Sequence, residues 1–170
     1  MPPVNRDAEH WQAVEEATEL LLEGHHERAL GLLREAIEAD ATNPYAYFYV
    51  GTTLYELGRM EAARDAFRAA VRVAPSYLAA RTGLSHALRK LGDARGAAAE
   101  ALEALGRFPE DGDALYAAGL AFAERGDRRR ARNYFERYLA TGPDAESLME
   151  AQQILAMLAE DDDGGPLHFD

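Results

Sequence analysis

A chain of 170 residues is long enough for one domain, or for an array in which length counts repeats and not cores. It has no cysteine, which excludes disulfides, thiolate zinc sites and a cysteine nucleophile, and no run approaches the ~18 apolar residues of a membrane span. Its 18 basic residues stand against 30 acidic ones, and the net charge of −12 disfavours nucleic acid and anionic lipid as partners.

The N-terminus MPPVNRDAEHWQ lacks an apolar signal region, so the expectation is a cytoplasmic protein without membrane insertion. Residues 1–7 read as a flexible leader, followed by a first helix over about 8–23 and a partner over about 26–39. Asn43-Pro44 is a helix start: Asn caps free N–H groups, and Pro at the first helical position loses no needed donor. Helices follow at about 44–57, 60–73, 78–91, 94–107, 112–125 and 128–141, with Ser76 and Asp111 as N-cap candidates. Each inner turn is a few residues around a glycine, short enough to force an antiparallel pair. Residues 144–160 carry Leu148, Met149, Ile154, Leu155 and Leu158 between glutamates and glutamines, the pattern of one more amphipathic helix covering the end of a stack. Residues 161–170 read as an acidic flexible tail, DDDGGPLHFD.

Glycine recurs every 34 residues at Gly24, Gly58, Gly92 and Gly126; alanine does so at Ala29, Ala63, Ala97 and Ala131. Proline closes three of the four repeats, at Pro75, Pro109 and Pro143. A fixed period of this size means stacked helical pairs. Numbering each repeat from the equivalent of Pro44, position eight holds Ala17, Gly51, Ser85 and Gly119, and position twenty-four holds Leu33, Phe67, Ala101 and Phe135. This pattern resembles the tetratricopeptide repeat over about residues 8–143. The resemblance implies an all-α, right-handed superhelical solenoid of antiparallel helix pairs, with repeats over about 10–43, 44–77, 78–111 and 112–143, a capping helix over 144–160, and a domain spanning 8–160.

The charge is unevenly spread, with −6 on residues 10–43 and −7 on residues 146–170. Lys90 is the single lysine among 17 arginines, a bias that fits a GC-rich genome and an expected bacterial source. The third repeat departs from its neighbours. It has Arg81 at position four, Ala101 at position twenty-four and Gly96 inside its second helix, a glycine that costs roughly 1 kcal/mol of helix propensity.

Helix 44–57 is apolar on two faces: Tyr47, Val50, Gly51 and Leu54 form one, and Tyr45, Phe48, Thr52 and Tyr55 form another. In proteins resembling this one, positions two, five, nine and twelve face a concave groove where peptides bind. The resemblance therefore implies a groove lined by Trp11, Val14, Tyr45, Phe48, Thr52, Tyr55, Thr82, His86, Arg89, Lys90, Tyr116 and Leu120. Such a groove is aromatic at the N-terminal end and cationic in the middle, and suits a protein or peptide with apolar anchors and an acidic group. The alternative is that the aromatics only pack between repeats or against the N-terminal segment. Positions five, six and nine hold Val14, Phe48, Tyr49, Thr52 and Thr82 where carboxylate-clamp relatives use lysine and asparagine, which argues against a binder of chaperone C-termini.

Arg125, Arg128, Arg129 and Arg130 form a basic cluster that suits an acidic partner, or else a solvated edge. His25-His26 lacks companions for a metal site, and neither metal nor cofactor is expected. The tail's Leu167-His168-Phe169-Asp170 offers apolar anchors and a carboxylate, so it either occupies a groove or serves as a solubilising end. The sequence has no phosphate-cradling glycine loop, no H-E-x-x-H and no nucleophile elbow, so an enzyme is not expected. The leading expectation is a non-catalytic protein-protein interaction module, an adaptor or scaffold. A small acidic chaperone for secreted or assembly-prone subunits and a self-assembling structural scaffold are the alternatives.

Overall fold

The computed structural model describes residues 5–160, which form helices and turns with no strand. In chain order these are α1 (Arg6–Gln12), α2 (Glu15–Leu22), α3 (His26–Ala39), α4 (Pro44–Glu56), α5 (Met60–Val73), α6 (Leu78–Lys90), α7 (Ala94–Arg107), α8 (Gly112–Glu124), α9 (Arg128–Ala140) and α10 (Ala145–Glu160). The expectations for the tail concern residues outside this stretch. Two compact units divide between Ala87 and Leu88, inside α6.

The 34-residue period is written into the turns. Gly24, Gly58, Gly92 and Gly126 all have positive φ, 72° to 81°, a conformation that a side chain strains. In each turn the residue after the glycine donates its N–H back to the carbonyl five residues earlier: His25 to Leu20, Arg59 to Leu54, Asp93 to Leu88 and Asp127 to Phe122, at 2.8 to 2.9 Å. This closes the first helix of each pair and satisfies carbonyls that would otherwise be orphaned. The turns between repeats are capped instead. Asn43 Oδ1 accepts from the N–H groups of Tyr45 and Ala46, and Asp111 Oδ1 accepts from that of Ala114. Before α6 the preceding residue is Tyr77 and not the expected Ser76, and Arg81 Nε closes that turn by donating to the Pro75 carbonyl.

In the N-terminal unit, α4 packs along α3 and α5. Phe67 of α5 is 3% exposed and seats its ring on bare backbone. A Cβ added at Gly51 of α4 would meet the ring at 2.7 Å, and one added at Gly83 of α6 would meet it at 2.6 Å. Phe135 of α9 stands in the same relation to Gly119 of α8, at 2.9 Å, in the C-terminal unit.

The first helix differs from expectation in being two. Val14 has φ −115° and ψ −3°, and its N–H bonds to Trp11 three residues back, which tightens the turn and interrupts the ladder. The break carries the Val14 side chain into a core shared with Ala17, Leu20, Leu33 and Ala46. Arg6 and Asp7, expected in a flexible leader, are helical and hydrogen-bonded to Thr42 and Tyr45.

In the C-terminal unit α8 lies between α7 and α9 and is buried almost all round, from Ala114 to Ala123 with Tyr116 half-buried. α7 buries four alanines and Leu105, with no ring among them. α10 buries Ala151, Ile154 and Leu158 and packs on α9. Its last turn is met by cations: Arg128 Nη1 donates to the Met157 carbonyl at 3.5 Å and Arg132 Nη2 to the Leu158 carbonyl at 3.4 Å. Both oppose the negative end of the helix dipole.

Two glycine substitutions should move stability in opposite directions. Gly51→Ala forces the confined Phe67 ring to shift and is expected to cost about 1–3 kcal/mol. Gly31→Ala, inside α3 where a Cβ meets nothing within 4 Å, is expected to add about 0.5–1 kcal/mol. Urea unfolding of both variants beside the parent chain checks the pair of signs.

Candidate functional site

The rings gathered in the N-terminal unit come from three places: Trp11 on α1, Tyr45, Phe48 and Tyr49 on α4, and Tyr77 before α6. Trp11 meets Tyr45 edge to face at 5.7 Å and lies 6.2 Å from Tyr49. Tyr45 meets Tyr77 edge to face at 5.6 Å, and Tyr77 lies 5.2 Å from Phe48. Phe48 in turn is 5.9 Å from Phe67, so the cluster is rooted in the core at that ring. Edge-to-face contacts match the positive rim of one ring to the negative face of another. Trp11 remains 42% exposed, while Tyr45, Phe48, Tyr49 and Tyr77 are half-buried.

A polar network ties α1 to the start of α4. Asp40 accepts from the Thr42 hydroxyl at 2.6 Å and the Thr42 N–H at 2.8 Å, and its other oxygen lies 2.9 Å from His10 Nε2. These bonds, Thr42 first and His10 after it, hold the Asp40 carboxyl well below the usual carboxylate range. Arg6 bonds the Thr42 hydroxyl at 2.7 Å, and Asn43 Nδ2 donates to the His10 carbonyl at 2.8 Å. Tyr45 donates its hydroxyl to Asp7 Oδ1 at 2.7 Å; that bond, with burial, pushes the phenol's pKa up. Burial does the same to Tyr77.

The residues expected to line a groove divide by exposure. Trp11, Tyr45 and Phe48 come together in the cluster, and Thr52 and Tyr55 continue along α4 as half-buried side chains, with the Thr52 hydroxyl donating to the Phe48 carbonyl at 3.2 Å. Four expectations are corrected. Val14 and Leu120 are 0% and 4% exposed, part of the core and closed to a ligand. Thr82 is buried, with its hydroxyl donating to the Ala79 carbonyl at 3.0 Å. Arg89 is buried and pairs with Glu124 at 2.6 Å, so its charge is already matched within the fold. Lys90 is exposed and His86 half-buried. Tyr116 is half-buried between Phe135 and Tyr138, and its hydroxyl donates to Glu150 of α10 at 2.7 Å.

Much of the basic cluster also serves the fold. The guanidinium groups of Arg125 and Arg130 lie 5.2 and 5.3 Å from the ring centre of Phe122, whose other company is the stacked ring of Tyr134 at 5.5 Å. Arg128 reaches the end of α10, and Arg129 is exposed. His25 and His26 lie 3.7 Å from Glu23 and Glu56 respectively. Sequence reasoning left Tyr49 and Tyr77 out of the site. Tyr49 could have been found one helical turn beyond Tyr45, and Tyr77 at the last position of the second repeat, beside the next helix start.

The Arg89–Glu124 pair is a sensitive test of the C-terminal unit. Arg89→Ala strands a nearly buried carboxylate and is expected to cost about 3–5 kcal/mol, whereas Arg89→Met with Glu124→Leu should recover most of that loss. Chemical unfolding of the single and double variants measures the difference.

The description "Tetratricopeptide repeat" belongs to the family model that matches residues 14–77, 82–146 and 116–156. Over 150 residues the chain is 32% identical to the tetratricopeptide repeat and J domain-containing co-chaperone DNJ1 of Cryptococcus neoformans var. grubii. That match takes 81% of this chain but 28% of the co-chaperone, so the chain spans little more than a quarter of that relative. Among solved structures, a MamA RS-1 double mutant is similar with a TM-score of 0.77 and 20% identity, covering 90% of this chain and 85% of that one. PilW, described as a widely conserved type IV pilus biogenesis factor, is similar with a TM-score of 0.76 and 20% identity over 88% of this chain and 71% of its own. YrrB, described as a TPR protein with an unusual peptide-binding site, is similar with a TM-score of 0.71 and 21% identity over 89% of this chain and 78% of its own. At these identities the structural likeness is one of fold. With the all-α architecture, the 34-residue turns and a family model matching most of its length, the chain belongs to the tetratricopeptide repeat family.

Proposed function

We propose that the chain is a non-catalytic, cytoplasmic peptide-binding adaptor, and that the aromatic face of its N-terminal unit seats an apolar-anchored segment of a partner protein. The observation that carries this reading is the contiguous set of partly exposed rings, Trp11, Tyr45, Phe48, Tyr49 and Tyr77, continued along α4 by Thr52 and Tyr55. A row of rings costs solubility when it faces water and gains when a partner covers it. Tyrosine and tryptophan also add a hydrogen-bonding group at low conformational cost, which is why they anchor interfaces. The peptide-binding site named for YrrB supports the reading by analogy of fold alone.

A chaperone-like role is a second reading, favoured by the 32% identity to a co-chaperone over most of this chain. Both readings use the same face, since a chaperone of this kind also holds an apolar segment.

Trp11→Ala with Tyr55→Ala removes two rings at the edge of the face while leaving Phe48 on Phe67. Peptides selected from a random library on the parent chain should bind this variant at least about tenfold more weakly. Circular dichroism establishes that the variant is folded. Peptides that bind both proteins equally would remove the aromatic face from consideration.

A further inference from the structure

The ligand expected from the sequence carries an acidic group, because Arg89 and Lys90 stood at groove positions. The structure removes that reason for the N-terminal unit. Arg89 is buried on Glu124, and Lys90, which is exposed, belongs with it to the other unit.

The rings lie on α1, on α4 and before α6, and α2, which continues from α1 past Val14, supplies Ala17 and Leu20 to the buried core against which Tyr45 and Tyr49 pack. Together α1, α2 and α4 hold six carboxylates, Asp7, Glu9, Glu15, Glu16, Glu19 and Glu56, against one arginine, Arg6. Arg6 is itself drawn to Asp40 at 3.5 Å and to Thr42. Of the other arginines of the N-terminal unit, Arg28 and Arg34 are on α3, Arg64, Arg68 and Arg72 on α5 and Arg59 in the turn between α4 and α5, while Arg81, one turn past Tyr77, has its Nε on the Pro75 carbonyl at 3.1 Å. Several of these are engaged, Arg59 with Glu27 at 2.8 Å, and Arg64 and Arg68 with Asp65 at 2.8 and 3.6 Å. On α5 three arginines stand against Glu61 and Asp65, and on α3 two stand against Glu27, Glu35 and Glu38.

On α2 the residues Glu15, Glu19 and Leu22 fall at spacings of four and seven, one face of a helix, and all three are exposed, Leu22 by 90%. Two carboxylates one turn apart, with an apolar side chain one turn further on, are the complement of a segment whose cations lie beside an apolar anchor. The rings add to the preference. In an edge-to-face pair such as Trp11 with Tyr45, one ring keeps its faces clear of its partner, and the face of an indole or phenol attracts a guanidinium or ammonium group.

We infer that the occupant of this face is a cationic peptide, one whose apolar anchors are flanked by arginine or lysine. The inference rests on the aromatic face being the binding site and adds the sign of the ligand's charge. Anchors cover the rings from Trp11 to Phe48, and the basic side chains lie toward Glu15 and Glu19. Acidic peptides are repelled by the same carboxylates, which gives the site a specificity that rings alone do not supply.

Three synthetic peptides sharing the same leucine and phenylalanine anchors test it, one with arginine and lysine between the anchors, one with serine and asparagine, and one with aspartate and glutamate. Anisotropy of a label on each peptide, titrated with the full chain, is expected to rank the basic peptide at least about tenfold tighter than the acidic one at about 0.05 M salt, with the gap shrinking at about 0.5 M. Glu15→Gln with Glu19→Gln should weaken the basic peptide several-fold and leave the neutral one unchanged. If the acidic peptide binds as tightly as the basic one, and both depend on Trp11 and Tyr55, the charge inference is overturned while the aromatic site stands. If no peptide binds, or none depends on those rings, both fall. Light scattering in the same buffers covers the remaining case: salt-sensitive self-association that the basic peptide does not reverse would assign the face to a second copy of the chain and overturn the inference.

Discussion

A phenylalanine ring laid on glycine backbone is the contact on which the N-terminal unit depends. Phe67 touches the main chain of Gly51 and Gly83 so closely that neither position tolerates a Cβ, which fixes how near α5 lies to α4 and α6. Rigid close packing of this sort transmits position, since a ring without free volume cannot move without moving its neighbours. Phe48 stands 5.9 Å from Phe67 and Tyr77 stands 5.2 Å from Phe48, so the exposed rings inherit their places from the buried one. The aromatic face is the outer rim of a core contact. The same logic runs through the repeats as a trade of size: Phe67 with Gly51, Phe135 with Gly119, and Leu33 with Ala17 at positions twenty-four and eight.

The period of 34 residues made the helices, their inner turns and the caps at Asn43 and Asp111 legible, because each has a local cause: a glycine in the left-handed region, or a side-chain oxygen over free N–H groups. Exposure was less legible, because it depends on what another segment lays over a helix. Leu120 occupies a groove position by register, yet α8 is apolar on every side and lies between α7 and α9, which closes that position. Val14 is a similar case. Its register assumed an unbroken helix, and the break at Val14 turned its side chain inward. Ring clusters such as Trp11 with Tyr45 and Tyr77 join three segments, and no single helical wheel displays them.

Charge shows the same difference between what is counted and what is available. Three arginines at the start of α9 oppose the positive end of that helix's dipole, an arrangement that needs compensation. The structure supplies it locally. Asp127 caps α9, Arg130 lies by the Phe122 ring, and Arg128 with Arg132 reaches the carbonyl end of α10, where cations are favoured. Of a run that reads as a docking patch for an acidic partner, Arg128 reaches the last helix, Arg125 and Arg130 lie by the Phe122 ring, and Arg129 is exposed. Arg89 repeats the lesson: at position twelve of the third repeat it pairs with Glu124 at position thirteen of the fourth.

In an array of near-identical repeats, specificity can reside only where a repeated position is not consumed by packing. Position five makes the comparison direct. Val14 is core, Thr82 is buried with its hydroxyl on its own helix, and Tyr116 gives its hydroxyl to Glu150 of α10. Phe48 alone of the four keeps part of a ring open among other partly exposed rings. The terminal repeats lose theirs for a physical reason, since an end of the stack must be covered: at one end the helix break buries Val14, and at the other α10 engages Tyr116. The second repeat has neighbours on both sides and no end to cover. Its first helix is therefore free to carry rings that the fold does not fully bury, and one of them, Tyr45, gives its hydroxyl to Asp7 of α1.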